Sequence, residues 1–137
     1  MKVFISYDYY NDTPLARKVS NALEQSGLDV WDAEREILPG DNWAKKIAEA
    51  LEESDAMVVL LTPEALRSEV VRWEIEYALG EKSFNRRLIP VLVGVPKDFE
   101  PGSIPWILRH LNMISLPELG RQEEGIRQIT QALMQAA

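Results

Sequence analysis

The chain has no cysteine among its 137 residues and a single histidine, His110. Disulfides, thiolate metal centres and cysteine nucleophiles are thereby excluded, and one imidazole cannot build a multi-histidine metal site or a histidine relay. No metal site is expected, and any catalysis must rest on carboxylates or hydroxyls. Basic residues are also few: 15 Lys and Arg stand against 22 Asp and Glu, a formal net charge of −7. A surface of that sign repels phosphate backbones and anionic membranes, and no basic cluster interleaves with aromatics. Neither nucleic acid nor a membrane is an expected partner. The longest apolar runs, 56–63 and 88–96, fall far short of the roughly 18 residues that a membrane span needs. The N-terminus enters a strand with no charged leader or cleavage site, so the chain reads as cytoplasmic.

What is present is a composition of 46% hydrophobic and 27% charged residues in a length that fits one domain, residues 1–137. Residues 3–7 (VFISY) are short, β-branched and aromatic, and Asp12-Thr13-Pro14 supplies an N-cap and an early proline before Leu15, Val19, Ala22 and Leu23 recur at helical spacing. Gly27 closes that helix. A second strand at 28–31 leads into an eleven-residue charged loop, 32–42, with Pro39-Gly40 at its tip, which is long for a βα connection. Trp43, Ile47 and Leu51 open the next helix. Residues 56–62 (AMVVLLT) form a continuous apolar strand, which implies burial on both faces in a parallel sheet, and Pro63 ends it. Val71, Ile75, Ala78 and Leu79 define a third helix capped by Gly80. A fourth strand follows at 88–93, where Pro90 argues for an edge or a bulge. A short helix around 104–111, a fifth strand at 113–116 and a last helix carrying Ile126, Ile129 and Leu133 complete the pattern. Strands alternating with helices in this way predict an α/β domain with a parallel sheet of about five strands, which binds ligands beyond its strand C-termini.

Nucleotide-binding glycines are missing from that framework. No Gly-x-Gly-x-x-Gly follows the first strand and no Walker lysine is present, so a conventional dinucleotide fold or P-loop enzyme is excluded. A phosphoryl-accepting receiver domain needs an Asp ending the third strand and a Lys after the fifth, where this chain has Leu61-Thr62 and Leu116-Pro117. A flavodoxin-like binder would need a flavin phosphate loop, which is also missing.

Four segments, VFISYDYYND, DVWDAEREILPGDNW, AMVVLLTPEALRSEVVRWEIEYAL and LIPVLV, together resemble a TIR domain of bacterial type in order and spacing over nearly the whole chain. The resemblance implies a flavodoxin-like three-layer sandwich with strand order 2-1-3-4-5. It implies that Pro39, Gly40 and Asp41 belong to a loop mediating contacts between TIR domains, so self-association is the expected partnership. It places the family's catalytic glutamate on Glu74, within the pattern Ser68, Val71, Glu74. Prokaryotic and plant members and one animal axonal member cleave NAD+ at the nicotinamide–ribose bond, whereas animal receptor and adaptor members act as assembly scaffolds. The expected function is thus NAD+ cleavage in immune or defence signalling, yielding nicotinamide with ADP-ribose or a cyclic isomer; the alternative is a non-enzymatic interaction module. NAD+ would be a consumed substrate and no cofactor is expected. NAD-cleaving members usually carry Trp four residues before the glutamate, and this chain has Val70 there.

Helical projection places Glu74 at the margin of the apolar stripe, the one acid of its helix expected to be partly desolvated. Ser6, Tyr7 and Asp8, ending the first strand, are candidates to hydrogen-bond ribose or phosphate, with turn formation as the competing reading. Trp31, Asp32 and Trp43 flank the long loop, where an aromatic could stack on a base, with a place in the core as the competing and commoner reading for each Trp. Glu34, Arg35 and Glu36 read as a solvated loop face or a partner contact. Arg86-Arg87 reads as a solvated strand lead-in, and His110 as a surface or packing residue.

Overall fold

A computed structural model describes residues 1–81, 87–111, 113–117 and 120–136. Arg86 lies outside the described residues. Five parallel strands, β1 (Lys2–Ser6), β2 (Asp29–Trp31), β3 (Ala56–Leu61), β4 (Leu88–Val93) and β5 (Ile114–Leu116), form one sheet in the order β2-β1-β3-β4-β5. Helices α1 (Thr13–Gln25) and α6 (Glu123–Ala136) cover one face; α3 (Trp43–Glu53), α4 (Pro63–Arg67) and α5 (Glu69–Gly80) cover the other. The three-layer flavodoxin-like arrangement is as the sequence implies. Short turns of 3₁₀ helix at Pro96–Asp98 and Trp106–His110 occupy the connection from β4 to β5.

Period-two alternation along β1 divides the core. Val3, Ile5 and Tyr7 join the cluster under α1 and α6, which includes Val19, Leu23, Ile129 and Leu133. Phe4 joins the cluster under α3 to α5, with Met57, Val59, Val71 and Ile75. All six residues of β3 are buried, as a strand covered on both faces must be. Each such large side chain contributes about 1.5–3 kcal/mol by leaving water.

Several local expectations need correction. The 32–42 loop begins with a one-turn helix, α2 (Ala33–Glu36), because the Asp32 side chain caps it by accepting from Glu34 N. The Asp12 side chain makes no cap bond to α1 and instead accepts from the Thr62 hydroxyl at 2.6 Å. Gly80 is the last residue of α5 and not its cap, a position held by Glu81. Leu79, expected on the core stripe, is 41% exposed, and Glu74, expected at its margin, is buried. Pro90 sits inside a strand with neighbours on both sides. Met57 N donates to Arg87 O, which by alternation turns Pro90 toward β5, and β5 pairs only from Val91 onward. The missing N–H therefore falls where β4 is locally an edge.

Candidate functional site

In this strand order the chain reverses direction of travel across the sheet between β1 and β3, and ligands of open α/β sheets bind beyond the strand C-termini at that point. β1 ends there with Ser6. Helix α5 is started by Ser68, whose side chain accepts from Val71 N at 3.3 Å, and its buried residues are Val71, Glu74, Ile75 and Ala78. That spacing is one continuous helical stripe, so a carboxylate occupies a core position. Glu74 is 5% exposed, and its Oε1 accepts a 2.6 Å hydrogen bond from the Ser6 hydroxyl, itself buried. Burial pushes the carboxyl up to about 8 from its ordinary value of 4.5, and the Ser6 bond pulls it partly back. Near neutral pH the group holds its proton, and a cation brought alongside would favour its release.

The other expected contacts divide around this pair. Tyr7 points to the opposite face of the sheet, where its hydroxyl donates to Asp32 Oδ1 at 2.6 Å. Asp32, fully buried, also accepts from Ser20 Oγ at 3.1 Å and from Glu34 N at 3.1 Å. Burial first and the bond to Asp32 second raise the Tyr7 hydroxyl far above its usual range. Tyr7 and Asp32 thus link β1, α1 and the root of the long loop. Trp31 is buried and stacked on Phe4, with ring centroids 5.0 Å apart. Asp8 organises its own turn, accepting from Asn11 Nδ2 at 2.6 Å and Tyr10 N at 3.3 Å, the competing reading given above. Trp43, first residue of α3, keeps 48% of its surface exposed.

The loop that carries Pro39, Gly40 and Asp41 is a tight turn on an anchored root. Arg17 donates to Glu34 at 2.6 Å, and Arg35 meets Glu24 and Asn21 on α1. Arg35 and Glu36 are exposed, so the face is solvated as expected, with Glu34 and Arg35 paired across it to α1. Beyond them Asp41 Oδ2 accepts from Leu38 N at 2.8 Å, and Gly40 has φ +90°, a conformation that favours glycine. Pro39 and Gly40 are exposed at the tip. Two surface cavities, of about 700 Å³ at the end of β4 and about 530 Å³ between α1 and α6, do not include Glu74. Among the described residues no cluster of His, Asp or Glu could hold a metal ion, and no helix is long and apolar enough to cross a membrane. His110 is exposed and packs edge-on against Trp106.

The sequence profile of the TIR domain matches residues 3–130. The chain belongs to the TIR domain family. This TIR domain is 32% identical over 127 residues to the stimulator of interferon genes protein of Magallana gigas, an alignment covering 91% of this chain and 30% of that protein. It is 25% identical over 96 residues to the 2′ cyclic ADP-D-ribose synthase BtTIR of Bacteroides thetaiotaomicron, covering 69% of this chain and 33% of that protein. The solved structure of a metazoan TIR-STING receptor from C. gigas in complex with 2′,3′-cGAMP superposes with a TM-score of 0.75 at 30% identity, over 96% of this chain and 38% of that one. The TIR domain spans about a third of the length of the curated relatives that it matches.

Sequence reasoning missed the pairing of Ser6 with Glu74, which lie 68 positions apart. The signal that could have found it is the even-numbered parity that Ser6 shares with Phe4 on β1, since that face meets α5.

Proposed function

We infer that this TIR domain cleaves NAD+ at the nicotinamide–ribose bond, with Glu74 as the catalytic group. The observation that carries the reading is a carboxyl buried on the core stripe of α5, beside the C-terminal end of β1, with a single hydroxyl bonded to it. The relative named as a 2′ cyclic ADP-D-ribose synthase supports the substrate class. One carboxylate suffices for this chemistry. Glycosidases pair two acids because an alkoxide leaves poorly, whereas the C1′–N bond of NAD+ gives its electron pair to a pyridinium nitrogen and nicotinamide leaves neutral. The ionised Glu74 stabilises the positive charge that develops on the ribose. A water oxygen then bonds to C1′ and its proton passes to solvent or to Glu74; attack by a hydroxyl or ring nitrogen of the same substrate gives a cyclic isomer instead.

With Trp31 in the core, Trp43 is the aromatic left to stack on a base. Ser6, Tyr7, Asp8 and Asp32 support the site from within the fold. Because Glu74 is 5% exposed and lies in neither cavity, the reading includes self-association: the Pro39-Gly40-Asp41 loop of one copy closes over the glutamate of the next. Immune or defence signalling in the cytoplasm is the setting that follows. A non-enzymatic module for assembly is the second reading, favoured by Val70 in place of a stacking ring. Purified protein incubated with NAD+ should release nicotinamide, and Glu74→Gln should abolish release while leaving the fold intact. Equal rates for the two proteins would reject the assignment.

A further inference from the structure

Two polar side chains face each other between β1 and α5 in an otherwise apolar layer. Ser6 is buried at the last residue of β1, and Glu74 is buried one helical turn beyond Val70, the two joined at 2.6 Å. Around them lie Phe4, Val71, Ile75 and Ala78, none of which can donate a hydrogen bond. We propose that Ser6 is the positioning residue of Glu74: its hydroxyl, donated across the layer to Oε1, fixes the direction the carboxyl faces and favours its negative charge. The proposal rests on the reading of Glu74 as the catalytic group and adds a second residue to it. It also reassigns Ser6, whose hydroxyl is engaged with the glutamate before any substrate arrives.

The geometry supports a positioning role more than a merely structural one. A buried carboxyl whose rotamer is set by packing alone would rotate about its last torsion, which is broad for glutamate. One strong donor removes that freedom and presents the second oxygen in a constant direction. Among the described residues, the chargeable side chains on the elements that pack with α5 include Lys2 on β1, Asp8 just beyond it, Glu52 on α3, which acts on Tyr77, and Glu64 and Arg67 on α4; α5 itself carries Glu69, Arg72, Glu76 and Tyr77. None of these figures among the influences on Glu74, which are burial and the Ser6 bond. Ser6 is the polar group that touches the carboxyl, and its bond is what a substitution can remove without changing the dry surroundings.

The test follows the carboxyl directly and through turnover. With glutamate labelled at its side-chain carbonyl carbon, the Glu74 signal is identified by its loss in Glu74→Gln, then titrated by NMR in the wild type, Ser6→Ala and Ser6→Cys. Loss of a hydrogen bond to a charged group should raise the titration midpoint in Ser6→Ala by about one pH unit, with Ser6→Cys, a weaker donor of similar shape, falling between. In step with it, kcat/KM for NAD+ at neutral pH should drop about tenfold in Ser6→Ala and recover toward the wild-type value above the new midpoint. A midpoint unchanged in both variants, or activity lowered by one factor at every pH, would overturn the proposal; should the alanine variant fail to fold, the cysteine variant decides. A wild-type protein that releases no nicotinamide, while the carbon signal still moves as expected, would refute the enzymatic reading and leave the Ser6–Glu74 coupling standing.

Discussion

Replacing Glu74 by Gln should change the stability of the domain in a pH-dependent way, and in the direction opposite to most losses of a buried acid. The carboxyl is pushed from 4.5 to about 8 by burial. In the unfolded chain it ionises above its ordinary value, while in the folded chain it keeps its proton until about 8. Folding must therefore take up a proton across that interval, and stability falls as pH rises through it. At 1.36 kcal/mol for each pKa unit, the loss is about 3 kcal/mol at pH 7 and approaches about 5 kcal/mol above pH 8. Glutamine keeps the shape and the acceptor for Ser6 but cannot ionise, so it escapes this loss. Its amide brings a cost of its own, about 1–3 kcal/mol if a proton is left without an acceptor, but that cost does not vary with pH. The diagnostic quantity is the difference between variant and wild type measured by urea denaturation at about pH 5, 7 and 9, which should move by about 4 kcal/mol in favour of Glu74→Gln over that range. A difference that stays flat would mean that the glutamate is ionised in the fold at neutral pH, and the account of its dry surroundings would be wrong.

Three other outcomes are expected. Val70→Trp, one helical turn before Glu74, should lower KM for NAD+ by restoring a ring beside the glutamate; a raised KM with unchanged folding would show that the smaller side chain makes room for something else. Tyr7→Phe leaves the fully buried Asp32 short of one donor and should cost about 1–3 kcal/mol in denaturant titrations, without removing nicotinamide release; loss of activity with stability intact would return Tyr7 to the substrate contacts. Specific activity should rise with protein concentration, and Asp41→Ala, which removes the acceptor for Leu38 N, should lessen that rise; activity independent of concentration in both proteins would mean that one chain holds a complete site.

The architecture was legible because it depends on periodicity, and periodicity is local. The apolar run 56–61, the stripe at Val71, Ile75 and Ala78 and the turn glycine at 27 each announce their element within a few residues. Features decided by distant pairs were not legible. Asp12 has the sequence position of a helix cap, yet Thr62, fifty positions on, takes its carboxylate. Trp31 and Asp32 border a charged loop, and nothing near them in sequence shows that Phe4 stacks on one and that Tyr7 and Ser20 satisfy the other. Glu74 was recognisable by resemblance and by its place near the stripe; how dry it is depends on the layers that α5 packs against. Those layers come from β1, β3 and α3, which no window of α5 contains.

The consecutive residues Ser6 and Tyr7 engage buried acids on opposite faces of the sheet, Glu74 on one and Asp32 on the other. A slip of β1 by one residue would exchange the two faces. The phenol would be driven into a space that a serine fills, and the serine would be too short to reach Asp32. Both carboxylates would lose their donors at once, a penalty of about 1–3 kcal/mol for each on top of the misplaced apolar side chains. Strand β1 lies between β2 and β3, and both of its neighbours take their alignment from it. The two acids therefore proofread the strand about which the sheet assembles, and a chain that has folded at all has already brought its glutamate to the right address.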